Sequence, residues 1–178
     1  MKYYYDFYEY AYPILKKYDI KVTLYLITSI LNKCAEIWWL KLEDLCNNND
    51  SISLQWNNID YVWTLTSNLK KNKCFNTIKN IILGLTSSVE VSNLVNSIKP
   101  RNDRNDYYDS FLNWEKIEEL DKDKLVTIGS HTHDHLCMRV LSDEQIKNEL
   151  CISKNILEDR LGHEVNHLGA YTFDKDDD

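Results

Sequence analysis

The stretch Leu125-Val126-Thr127-Ile128-Gly129-Ser130-His131-Thr132-His133-Asp134-His135 decides how this chain is read. Its first four residues form an apolar, β-branched run that suits a strand. Gly129 leads the strand out, and three imidazoles follow within five positions. His131 and His135 stand four apart, a spacing at which two imidazoles converge on one ion if the backbone between them turns helically. Ligands leaving the end of a buried strand also sit where layered α/β enzymes place their sites. Downstream, Ser142-Asp143-Glu144-Gln145 is a capping box that opens a helix.

Upstream, Val22-Thr-Leu-Tyr-Leu-Ile27 has the near-continuous apolar run of a strand buried on both faces. Long helical or mixed segments separate it from Leu125–Ile128, so the two strands are expected side by side and parallel. Between them, Trp38, Trp39, Leu42 and Leu45 recur at helical spacing, which favours packing of the adjacent tryptophans over a sugar-stacking platform. Ile52–Trp56 and Ile59–Trp63 alternate about Asn57-Asn58 and predict a hairpin. Phe75, Ile78, Ile82 and Leu85 form one helical stripe, and Val91, Leu94, Val95 and Ile98 another. Residues 34–107 thus read as a mostly helical insertion. The charged run Lys99 to Asp109 is a loop, and Trp114, Ile117 and Leu120 mark a short helix before the histidine strand. Pro13 to Tyr18 belongs to a short helix with apolar Ile14 and Leu15. The helix after Ser142 places Ile146, Leu150 and Leu157 on one side and ends near Gly162.

At 178 residues the chain suits one α/β domain, 1–178, able to bury a real core. A net charge of −7 and a pI near 5.2 make nucleic acid and anionic membrane surfaces poor partners. Cys34, Cys46, Cys74, Cys137 and Cys151 are odd in number and include no Cys-x-x-Cys, so neither a disulfide framework nor a thiolate zinc site is expected. Cys137, two residues beyond His135, reads as a packing residue. Asn32, Lys33 and Glu36 interrupt the apolar run after Val22, so no transmembrane segment is predicted. The opening Met-Lys-Tyr-Tyr-Tyr-Asp has no apolar signal core, which makes a cytoplasmic location the expectation. The four glycines build no phosphate loop, and no Gly-x-Ser-x-Gly elbow exists.

Strand, histidine pair, loop and capped helix together resemble the second motif of the polysaccharide deacetylases (carbohydrate esterase family 4, the NodB-like domain). That pattern, Ser-His-Ser/Thr-x-x-His, is matched at every fixed position by Ser130 to His135. The resemblance covers roughly the first thirty residues and those from about 108 to 173. It implies a partial, distorted (β/α) barrel with a mostly helical insertion. His131 and His135 would be the imidazole ligands of a divalent metal, usually zinc, and His133 falls at a free position. The implied reaction is metal-dependent hydrolysis of N-acetyl, less often O-acetyl, groups, and the implied partner is an acetylated glycan or cell-envelope polysaccharide.

Two departures qualify this. The family's first motif, Asp-Asp-Gly, supplies the base and the third ligand, yet its positions fall on Met1, Lys2 and Tyr3. The chain is therefore expected to begin just past its catalytic base, through truncation, a misplaced start or decay. Asp6 better matches the N-cap of the following helix than a substitute ligand. In the third motif, Ala170-Tyr171-Thr172-Phe173-Asp174 has Thr172 in place of Pro and Asp174 in place of Gly, leaving Phe173 as a weak oxyanion position. His163 and His167 read as surface histidines rather than the catalytic acid. Zinc would be weakly held and turnover negligible. The rival reading is a non-catalytic carbohydrate- or metal-binding module derived from the same fold.

Overall fold

The computed structural model describes residues 4–100 and 107–170. The chain divides into two compact units, one of residues 1–35 and 108–178, the other of residues 36–107.

The first unit opens with a π-helical turn, Phe7–Ala11, running directly into helix Tyr12–Lys17 (α1). The short helix is where the sequence places it, but none of the α1 residues is buried and Ile14 is 57 % exposed. Aromatic residues hold the segment instead. Phe7 is buried, and Tyr4 stacks on Phe111 with ring centres 4.7 Å apart. Strand Val22–Leu26 (β1) and the short helix Thr28–Leu31 (α2) follow.

The second unit contains helix Trp38–Asn48 (α3), strands Ser51–Trp56 (β2) and Ile59–Thr64 (β3), and helices Asn68–Ile82 (α4) and Ser88–Ser97 (α5). The hairpin is antiparallel, with Trp56 opposite Ile59. Asn57 and Asn58 take φ of 51° and 61°, the left-handed pair a tight two-residue turn requires and asparagine tolerates. Side chains of Ser67 and Ser87 cap α4 and α5 by accepting from the amides of Lys70 and Glu90. Leu42, Leu45, Ile52, Leu54, Ile78, Val91, Leu94 and Val95 are buried. Phe75 and Leu85 are only half-buried, and Cys74 takes the core position on α4. Trp38 and Trp39 are half-buried and meet edge to face.

The chain re-enters the first unit through helix Trp114–Asp121 (α6), strand Val126–Ser130 (β4) and helix Asp143–Leu161 (α7). β1 and β4 pair in parallel, with Tyr25 opposite Gly129 and Leu26 opposite Ser130. Their sheet is buried on one face and only partly on the other, which corrects the two-sided reading. Leu24, Leu26, Ile128 and Ser130 are buried, whereas Thr23 and Tyr25 are half-buried and Thr127 is exposed. Alternation along Val-Thr-Leu-Tyr-Leu segregates the polar-tipped residues onto that second face. α6 and α7 both pack on β4. The full capping box, Ser142 with Gln145, starts α7, and Gly162 at φ 76° ends it.

The fold is thus α/β, with an open parallel pair, a separate antiparallel hairpin and no closed barrel among the described residues. No described helix is long and apolar enough to cross a membrane.

Candidate metal centre

β4 delivers the histidines from the middle of a three-stranded edge. On one side the His131 amide donates to the Leu26 carbonyl at 2.8 Å, extending the ladder with β1. On the other, Ser130 N–H donates to His167 O and Gly169 N–H donates to Ser130 O, forming a parallel bridge to Leu168. Backbone pairing on both flanks makes the take-off point of the loop rigid.

The loop does not continue as a helix. Thr132 and His135 adopt φ of 68° and 58°, the left-handed region that side-chain-bearing residues rarely occupy. Such backbone persists only where its surroundings over-determine it, and here they do. The Thr132 hydroxyl accepts from the His135 amide at 3.2 Å, and the Ser130 hydroxyl accepts from the Thr132 amide at 3.2 Å. The first amides of α2, Thr28 and Ser29, donate to the carbonyls of Thr132 and His133. From the opposite side, Glu149 Oε2 on α7 accepts from the amides of His133 and Asp134 at 3.0 and 2.8 Å. The amides of Thr132 to His135 and the carbonyls of Thr132 and His133 are thereby satisfied.

The imidazole rings of His131 and His135 have centres 4.8 Å apart and planes at 54°. His131 Nδ1 lies 2.6 Å from the Gly169 carbonyl. A carbonyl only accepts, so Nδ1 carries the proton and Nε2 presents its lone pair. His135 is buried, with Nε2 sealed from solvent. Tyr25 stands beside His131, ring centres 6.4 Å apart. The same ring lies so close over β4 that a Cβ on Gly129 would meet it at 2.8 Å. Only glycine admits that approach.

His133 turns away, its Nδ1 2.8 Å from the Thr28 hydroxyl. Cys137 is buried. His163 is exposed and lies 2.8 Å from Asp121, and its pKa is raised, first by the Glu164 carbonyl and then by Asp121. His167 is exposed and contributes its backbone carbonyl. Asp6 is exposed at the N-cap of the π turn and makes no side-chain cap bond. Among the described residues no group of three or more His, Cys, Asp or Glu side chains is placed to hold a metal ion. Phe173 lies outside the described residues, as do Met1, Lys2 and Tyr3.

The sequence pattern missed the polar stripe of α7. Glu149, Ser153 and Leu157, four apart, are the buried positions, whereas Ile146 and Leu150 are half-buried. Ser153 shares a 2.8 Å hydrogen bond with Ser130. Burial raises the Glu149 carboxyl above the usual glutamate range; the Asp134 amide pulls it down, while the Asp134 charge pushes it up.

A parallel strand pair with helices packed on it defines the class, an α/β protein with an open sheet. Within that class, residues 2–173 match the family model described as polysaccharide deacetylase, and the chain belongs to that family. No curated protein matches. Among solved structures it is similar to the BpsB deacetylase domain from Bordetella bronchiseptica, with 11 % identity and a TM-score of 0.46 over 98 % of this chain. It spans 55 % of that structure's length.

Proposed function

We propose that this chain is a polysaccharide-deacetylase-type module in which His131 and His135 hold a divalent metal, and in which residues 34–107 form an insertion within the single domain 1–178. The observation that carries the reading is the imidazole pair at the carboxyl end of β4. With nitrogen–zinc distances of about 2.0–2.1 Å and a ring radius of ~1.1 Å, two tetrahedral ligands have ring centres roughly 5 Å apart. The 4.8 Å separation fits that value. The Gly169 carbonyl accepts from Nδ1 of His131, the outer-shell arrangement expected of a ligating histidine.

A metal bound there would polarise an acetyl carbonyl and acidify water. The chain's own residues orient the two imidazoles through Gly169, Thr132 and Glu149. They do not supply the rest of the machinery, because no Asp-Asp-Gly triplet occurs in residues 1–178. Two imidazoles without a carboxylate hold zinc weakly, and loss of the base alone costs about 10²–10⁴ in rate. The substrate class supported by family membership is an acetylated glycan.

The test is zinc or cobalt titration of residues 1–178, with acetate release from acetylated chito-oligosaccharides measured in parallel. We expect weak metal binding that H131A abolishes, and essentially no acetate. Binding unchanged by H131A would overturn the metal assignment. Robust metal-dependent acetate release, lost in H131A, would overturn the incompleteness.

A further inference from the structure

We propose that β3 is an open sheet edge that pairs antiparallel with β3 of a second copy of this chain, joining two hairpins into one sheet. The parity of the β2–β3 ladder fixes which backbone groups are on offer. Ser53 on β2 donates its amide to the Lys99 carbonyl at 2.8 Å and accepts from the Lys99 amide at 2.9 Å. Both of its backbone groups therefore point away from β3. Antiparallel ladders alternate hydrogen-bonded and non-bonded pairs, and Ser53 faces Val62. The amide and carbonyl of Val62 thus point outward from the hairpin as well. The Leu65 amide donates to the Asp50 carbonyl at 2.7 Å, as the same alternation demands. Asp60 and Thr64, two positions either side of Val62, share its orientation.

The two edges of the hairpin differ. Lys99 covers that of β2, whereas among the described residues no strand or bridge pairs the outer edge of β3. Natural folds blunt an open edge with lysine, proline or a bulge. β3 reads Ile-Asp-Tyr-Val-Trp-Thr, in unbroken register with β2, and carries none of these. Ile59 is 52 % exposed and Val62 74 %. A hairpin of two strands is marginal by itself, and further strands stabilise it.

The occupant is a second copy because β3 is complementary to itself. With a two-fold axis through Val62, Val62 meets its own counterpart and Asp60 meets Thr64 of the second copy. Every outward amide and carbonyl at these three positions then has a mate, and no charge lies opposite a like charge. Centring on Asp60 would oppose two carboxylates. Centring on Tyr61 or Trp63 leaves an outward residue opposite chain beyond the strand. In the Val62 register Tyr61 falls opposite Trp63 of the second copy. These two rings already stack within one chain, with centres 5.5 Å apart and planes at 7°. Pairing lengthens that stack into a continuous aromatic row, and cross-strand aromatic pairs stabilise a sheet. One short strand pair buries less than the roughly 1,200–2,000 Å² of a stable interface, so the dimer is concentration-dependent.

Sedimentation velocity of the full chain over a concentration series tests this, and a monomer–dimer equilibrium is expected. V62P should raise the dissociation constant about tenfold or more. It removes an outward donor at the two-fold axis but none from the β2–β3 ladder. T64K sets a cation opposite Asp60 of the second copy and should tighten the dimer severalfold at low salt, whereas T64D should loosen it. Mild oxidation of V62C should link two chains through position 62, identified by peptide mass analysis. A wild type that stays monomeric at its highest soluble concentration would overturn the proposal. So would dimers equally populated in wild type, T64K and T64D, which place the interface elsewhere. The exposed Thr64 variants decide the matter even if V62P fails to fold.

Discussion

The two ends of β4 are held by carboxylates in opposite conditions. At the amino end Asp123 accepts from the Tyr12 hydroxyl at 2.6 Å and from the Leu125 amide at 3.0 Å, and pairs with Lys16 at 3.0 Å. The Tyr12 hydroxyl, then the Leu125 amide and the Lys16 ammonium hold its carboxyl down at about 2. At the carboxyl end Glu149 is buried, raised by desolvation, and bonded to two loop amides. All of the left-handed backbone flanking β4 is also at this end, at Thr132 and His135. Strain and buried polar groups are costly, and folds tolerate them where a site must be shaped. The amino end fastens α1 to the sheet, while the carboxyl end positions imidazoles.

The largest expected effect separates these roles directly. H131A should lower zinc affinity by more than the ~10–100-fold typical of losing an outer-shell partner, while D123N leaves it within about twofold. Equilibrium titration with a chromophoric competitor measures both. Equal losses in the two variants would show that the ends of β4 do not differ in function.

Next comes E149A. It leaves the His133 and Asp134 amides without their acceptor, and each orphaned buried donor costs about 1–3 kcal/mol. We expect a loss of about 2–4 kcal/mol in urea denaturation, together with weaker metal binding. E149Q, which keeps one acceptor oxygen, should lose less. G129A is expected to cost about 1–3 kcal/mol as an overpacked site, because its Cβ would meet Tyr25 at 2.8 Å and the His167 carbonyl at 3.0 Å. A neutral G129A would mean that the Tyr25 ring moves aside freely.

Local signals carried much of this fold into the sequence. The strand at Leu125, the Ser142–Gln145 box and the Asn57-Asn58 turn each lie within a few consecutive residues, and each is where it was read. What stayed illegible depends on distant partners. Glu149 reads as one more charge on a charged helix until the histidine loop is laid against it. Thr132 and His135 bear no mark of left-handed backbone, since neither is glycine or asparagine. The half-buried second face of β1 was misread because Tyr25 counts as apolar in a periodicity argument, although its ring covers two glycines at a sheet edge. The helical turn on which the spacing argument was conditional is absent for a related reason. Four-residue spacing permits a helix, but here side-chain and backbone bonds from α2, Ser130 and Glu149 close a different turn.

The smallest effect is in pH dependence, where the two carboxylates should give slopes of opposite sign. Asp123 has a folded pKa of about 2 against an ordinary value of 3.8. Its contribution is therefore present above the ordinary value and lost as pH falls through about 2. Glu149 is shifted upward, so its contribution is present below the ordinary glutamate value and lost as pH rises through the folded value. Thermal midpoints measured from acid to neutral pH should show the wild type gaining on D123N as pH rises and losing ground to E149Q over the same range. The Asp123 effect should be modest, because Lys16 is 61 % exposed and water screens the pair. Parallel slopes for the two variants would mean that Glu149 is not desolvated in solution, and the contrast between the two ends of β4 would then rest on the left-handed loop alone.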